Sequence, residues 1–399
     1  MIGQLKKAKT VKIIGGGFSG LCAAFELQKN GIDYQLYEQS DWGGKIFPKQ
    51  TYWGPCEFAA SSFYLSQGSL QFLQDLKLEP LLATQGLKKK IFLNQKWQSP
   101  MSYSLLARLP LSVFRPVVKR QYQLDQFLKP LVGERKVREL ISTITQGIYG
   151  VGADQLDIRN LFEHEVNSSV IYAQFLFKLR AALKREKTDH PIAIANFEGG
   201  MGQVIERLRS SLTNLQNEKT SLSDNTLVAS SALEAAQLVQ DDFPQLAQQL
   251  RRISYIPMTS FVLYSDQPLG ELSGCFGGLI ASTKNLSIMG VIHQSEVFPK
   301  NFKSHCYLFR CSGEMSEGQL LKQMKKLFPH WNESSLLDLQ RCYWHEALPV
   351  YNTEHYLALV EMKKILSREQ GIAFLGNYTG GISLRSIVSQ SQQLLYLKQ

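Results

Sequence analysis

Val11-Lys12-Ile13-Ile14-Gly15-Gly16-Gly17-Phe18-Ser19-Gly20, continued by Tyr34-Gln35-Leu36-Tyr37-Glu38, is the stretch on which the fold turns. Val11 to Ile14 is a short apolar run that stops at glycine, as a buried parallel strand does. Leu21 to Lys29 has helical composition, and Gly31 follows where a helix C-terminus wants glycine. Tyr34 to Tyr37 reads as a second strand. Strand, glycine turn, helix and strand within about thirty residues make a βαβ unit. Gly15-Gly16-Gly17-Phe18-Ser19-Gly20 fits G-x-G-x-x-G. Gly15 allows the tight turn, Gly17 admits a pyrophosphate to the backbone, and Gly20 lets helix and strand pack closely. The helix N-terminus offers free N–H groups to phosphates, and Phe18 and Ser19, within the glycine motif before it, are expected at the cofactor. Glu38 closes the second strand, where a carboxylate can bind ribose hydroxyls. A dinucleotide-binding fold is the expectation.

Outward from this unit, residues 70–82, 122–145, 170–186, 200–212 and 317–328 read as helices. Residues 225–230 and 372–376 read as strands. Between 252 and 310 the texture is strand-like, in TSFVLY, LSIMGVIH and HCYLFRC. The 399 residues are 44% apolar and 20% charged, enough for a full core. Cysteines 22, 56, 275, 306, 311 and 342 show no C-x-x-C spacing, so reduced thiols are expected. The seven histidines form no H-E-x-x-H pattern, and no metal is expected. The N-terminus lacks the long apolar run of a signal peptide, and no stretch reaches the ~18 apolar residues of a membrane span. A cytoplasmic protein is expected, with no nucleic-acid partner.

The net charge is +10, and residues 84–139 hold twelve Lys or Arg against three Asp or Glu, a local +9. Leu105, Leu106, Leu109, Leu111, Val113 and Phe114 lie in the same segment. A basic, apolar-rich patch suits an anionic lipid surface. A solvated basic face and a pocket for an acidic substrate are the other readings.

Gln39-Ser40-Asp41-Trp42-Gly43-Gly44-Lys45 follows the acidic strand end. A double glycine here resembles the E-x-x-x-R-x-G-G pattern of the flavin amine-oxidase superfamily. It is one residue shorter, and Trp42 stands near the family's phosphate-side Arg. The resemblance narrows to the protoporphyrinogen oxidase family through five further segments. Trp53-Gly54-Pro55-Cys56-Glu57-Phe58 resembles its G-P-x-x-F segment, and Gly147 to Arg159 its "GVYAGDPxxLSxR" stretch. Phe197-Glu198-Gly199-Gly200-Met201 resembles F-x-G-G-L, and Met289 to Pro299 resembles "LGVxxDSxxFP". Trp344 to Tyr351, with His355, resembles "W-x-x-A-I-P-Q-Y-x-x-G-H". A sixth, Leu375-Gly376-Asn377-Tyr378-Thr379-Gly380-Gly381-Ile382-Ser383, resembles "AGNxxGGVS".

The resemblance implies an α/β protein: a Rossmann-like FAD-binding domain (1–84, 191–250 and 346–399), a helical insertion (85–190) and a mainly β substrate-binding domain (251–345). It implies that Gln39, Gly43, Gly44, Lys45, Gly54 and Pro55 also hold FAD. Gly376, Asn377, Gly381, Ile382 and Ser383 would lie by the flavin ring. Thr213 to Asp224 replaces a longer β-rich insertion that touches the adenine end in the family. Lys90 occupies the place of a basic residue that meets a porphyrin propionate. Arg159 matches a family position that serves structure or substrate. His293, His345 and His355 are expected to pack or hydrogen-bond, and no side chain is expected to act as a general base. The implied reaction oxidises protoporphyrinogen IX to protoporphyrin IX in haem synthesis, with O2 as acceptor, at a membrane surface. Coproporphyrinogen III oxidation, another flavin oxidase activity, and porphyrin binding without turnover are the alternatives.

Overall fold

The computed structural model describes residues 1–7, 9–99, 122–161, 193–281 and 286–398. The expected βαβ unit forms: Val11–Ile14, the helix Phe18–Lys29, then Tyr34–Tyr37 paired parallel to the first strand. Gly20 to Leu27 form an unbroken buried run, so this helix is covered on all sides, with Leu21, Ala23, Ala24 and Leu27 fully buried. Gly31 takes φ +69 just past the helix end, the left-handed turn that glycine permits there.

Distant segments complete this sheet. Its order is Ile2–Gln4, Ile372–Phe374, Thr226–Val228, Val11–Ile14, Tyr34–Tyr37 and Leu215–Gln216. All neighbours are parallel except Ile2–Gln4, which lies antiparallel at one edge. Leu215–Gln216 sits within the shortened stretch Thr213 to Asp224 and adds a strand beside Tyr34–Tyr37.

A second sheet has seven strands, in the order Leu336–Pro349, Tyr255–Ser265, His305–Ser312, Ile288–His293, Cys275–Ile280, Lys88–Leu93 and Lys96–Gln98. Its last two members correct the expected helical insertion from residue 85. The reason is packing: Ile91 and Phe92 are buried, Phe92 meets Trp97 edge-on at 5.3 Å, and Trp97 stacks on Phe328 at 5.5 Å. Burial in this sheet's core outweighs the basic start of the segment. At the other edge, Leu336–Pro349 runs through the boundary expected at 345.

Within the expected insertion, the first described helix is Leu124–Val132. The single helix expected over 122–145 is broken at Gly133, φ +87, passes a π-turn at Val137–Ile141, and resumes as Ser142–Tyr149. The helix expected over 170–186 and the apolar residues 105–114 lie outside the described residues. No described helix is long and apolar enough to cross a membrane.

Candidate active site

A cavity of about 1230 Å³ runs from the glycine turn of the parallel sheet to one face of the second sheet. Gly15, Gly17, Phe18 and Ser19 line it at the start of the first helix. Gly17 caps that helix without any side-chain acceptor, so the first-turn N–H groups face the cavity uncapped. A Cβ built on Gly17 would meet nothing within 4 Å, so the glycine opens a cradle a ligand can enter. Gly20 does not line the cavity. A Cβ there would lie 1.9 Å from the Gly15 carbonyl oxygen, so its role is close packing, as the motif requires.

The second glycine pair interlocks with the first. Gly43 N–H donates to the Gly16 carbonyl at 2.9 Å, and Gly17 and Gly43 form a parallel bridge. Gly43 and Gly44 have φ of +98 and +58, conformations that favour glycine. Both line the cavity, with Gln39 and Lys45. Glu38 lines it too; its carboxylate accepts from the Gly16 N–H at 2.6 Å and the Ser40 N–H at 2.7 Å. Trp42 lies against Gly16 and Glu38, with the Arg209 guanidinium 5.7 Å from its ring. Lys45 donates to the carbonyls of Glu346 and Ala347, and burial holds its pKa below the usual lysine range.

Gly376, Asn377, Ile382 and Ser383 reach the same cavity from the C-terminal turn. Tyr351 hydroxyl donates to the Asn377 carbonyl, and Ser383 caps the helix Leu384–Gln392. Gly381 (φ +112) shapes the turn and does not face the cavity. Lys90 lines the far wall, its ammonium donating to the Glu271 carbonyl.

Three expected site residues lie elsewhere. Gly54 and Pro55 pair with Gln50–Thr51 and accept the Tyr264 hydroxyl, 2.8 Å from the Pro55 carbonyl. Their segment is fixed through Glu57, whose buried carboxylate accepts from Met201 N–H at 2.6 Å and from Asn196 and Gln294 amides. So Trp53 to Phe58 and Phe197 to Met201 pack on each other, with only Phe58 reaching the cavity. Arg159 is structural. It forms a two-pronged ion pair with buried Asp157, 2.9 Å at Nε, between the rings of Tyr122 and Tyr356 at 3.9 and 4.0 Å. His293 stacks on Tyr307 at 4.3 Å and His355 meets the Tyr378 carbonyl at 2.9 Å; both serve packing and hydrogen bonding.

Sequence reasoning missed the second-sheet wall. Met258, Ser260, Leu308, Arg310, Met289 and Val291 line it. Alternation in HCYLFRC could have put Leu308 and Arg310 on one face, but nothing local says which face meets a cavity. Thr220 and Ser221 also reach the cavity, held by the Lys12 ammonium at 3.2 Å.

Comparison with known proteins agrees with this geometry. The family described as NAD(P)-binding Rossmann-like domain matches residues 13–76. The mitochondrial protoporphyrinogen oxidase of Nicotiana tabacum is 22% identical, over 96% of this chain and 93% of its own. The coproporphyrinogen III oxidase of Bacillus subtilis is also 22% identical, over 96% of each chain. Among solved structures, the cyclohexylamine oxidase of Brevibacterium oxydans superposes with a TM-score of 0.69 at 14% identity, covering 99% of both chains. The chain thus shares its fold with the cyclohexylamine oxidase, and along nearly its whole length its sequence is similar to those of the tobacco protoporphyrinogen oxidase and the Bacillus subtilis coproporphyrinogen III oxidase.

Proposed function

We propose that the chain is an FAD-dependent porphyrinogen oxidase of haem synthesis, converting protoporphyrinogen IX to protoporphyrin IX with O2 as the final acceptor. The single observation that carries this is the cavity that joins a complete dinucleotide cradle to a mainly apolar wall on a second sheet. Gly15, Gly17 and the first helix would take the pyrophosphate, Glu38 the ribose end, and the turn Gly376–Ser383 the ring end. When bound, the flavin supplies the two-electron acceptor. The protein's part is to bind and orient. Met258, Leu308, Met289 and Val291 keep water from the macrocycle, and Lys90 meets a propionate. No side chain in the cavity is assigned as a general base.

In this reading the parallel-sheet unit holds FAD and the second sheet holds the substrate. The basic segment 84–139 holds the protein to the cytoplasmic face of an anionic membrane. Coproporphyrinogen III is the second reading, favoured by the equal identity of the Bacillus subtilis relative. Flavin-loaded protein assayed with both porphyrinogens, following porphyrin fluorescence above the non-enzymatic rate, separates the two.

A further inference from the structure

Arg310 has no counterpart in the motifs that identify the cofactor site. It stands on His305–Ser312, inside the seven-stranded sheet, with Ser260 and Gly290 opposite it on the two neighbouring strands. Arg310, Ser260 and Gly290 all line the cavity. The residue lies deep in the molecule and is only half-buried because it faces that space; burial pushes its pKa below the usual arginine value. One of its five donors is used, by the Ala59 carbonyl. Among the described residues no carboxylate pairs with it. A buried cation without a counter-ion is costly, and the cost is relieved when an anion arrives.

Two further observations point the same way. The carboxylates around the cavity, Glu38, Asp41, Glu218 and Glu234, all belong to the dinucleotide-binding unit. The second-sheet wall carries Lys89, Lys90 and Arg310 and, among the described residues, no acidic side chain. Trp344, opposite Met258 on the next strand, lines the cavity as well, and its buried Nε1–H has no acceptor. The wall therefore offers unsatisfied donors and no competing anion.

We infer that Arg310 anchors a carboxylate of the substrate, so that the cavity prefers acidic tetrapyrroles to their esters. The inference deepens the porphyrinogen reading and rests on it. Arg310 and Lys90 would hold separate groups. Ile91, beside Lys90, shares a row with Arg310 through Leu279 and Gly290, three strand spacings or about 14 Å away.

The test uses flavin-loaded protein and two variants, Arg310→Met, which keeps length and removes charge, and Arg310→Lys, which keeps charge and loses the fork. Binding of protoporphyrin IX and of its dimethyl ester is followed by quenching of tryptophan fluorescence, at one detergent concentration. KM is measured for the matching porphyrinogens. Arg310→Met should weaken the free acid about tenfold or more, the scale of a charged hydrogen bond, and leave the ester within about twofold. Arg310→Lys should fall between. Equal weakening of acid and ester, or no change in either, overturns the anchor. So does a shift in flavin reduction potential with an unchanged acid-to-ester ratio, which would place the guanidinium against the flavin. If the wild type oxidises neither porphyrinogen but binds the acid through Arg310, the anchor stands and the oxidase reading fails. If it binds neither acid nor ester, the anchor falls.

Discussion

A Cβ on Gly17 would enter open space, and Gly17 has φ −69, which any residue adopts. Gly17→Val should therefore fold normally yet block the pyrophosphate. The expected result is an unchanged melting temperature with flavin content lost; a folded variant that retains its flavin would contradict the site. Glu57 gives a prediction about pH. Burial raises its pKa from 4.5 to about 7, against the opposing pull of the Met201 and Asn196 hydrogen bonds. Between these values the folded state binds more protons than the unfolded state. The contribution of Glu57 is thus fully present below about 4.5 and is lost as pH rises through about 7. His293 and His355, both lowered to about 4 by burial, act in the opposite sense as pH rises. The difference in melting temperature between wild type and Glu57→Gln isolates the carboxylate. It should shift against the wild type as pH goes from about 4.5 to about 7; a flat difference would remove Glu57 from the account.

At the scale of elements, the βαβ unit was legible because its signals are local: an apolar run, glycines at fixed offsets, a helix cap and a closing carboxylate. Gly20 shows how tightly these couple. Gly20→Ala would set a methyl against the Gly15 carbonyl and should cost about 1–3 kcal/mol in denaturant unfolding. An unchanged midpoint would mean that the turn has slack the structure does not show. The strands 225–230 and 372–376 were also legible, and both join the parallel sheet. Lys88–Leu93 was not: one partner, Cys275–Ile280, lies far along the chain, the hairpin partner Lys96–Gln98 is only three residues long, and three leading lysines hide a strand whose buried part is Ile91-Phe92. Motif matching misplaced Gly54 and Pro55, and left Arg159 between structure and substrate, because a motif marks a constrained residue without saying what constrains it. For Arg159 the constraint is Asp157 between two tyrosines; for Gly54 and Pro55 it is Tyr264. Arg310 was overlooked for the converse reason: alternation in HCYLFRC places it on a strand face, and nothing local says that this face meets a cavity.

Across the whole molecule, charge around the cavity is uneven: its acidic side chains all come from the dinucleotide-binding unit, which also brings Lys45 and Lys219, while the second sheet brings only the cations Lys89, Lys90 and Arg310 among the described residues. The net +10 is concentrated in residues 84–139. If that segment docks on a bilayer, each Lys or Arg near the surface contributes on the order of 1 kcal/mol and salt screens it. Sedimentation with vesicles should then show binding to anionic lipid at low salt, reduced by added salt; equal partitioning onto neutral vesicles would refute the electrostatic attachment. The central claim joins cradle, cavity and second sheet into one oxidase. The most direct test is a single assay on the purified protein: its flavin absorbance, followed by porphyrin fluorescence on adding protoporphyrinogen IX or coproporphyrinogen III under air. The account predicts bound flavin and porphyrin formation above the non-enzymatic rate with at least one substrate. Flavin-loaded protein that oxidises neither would contradict it.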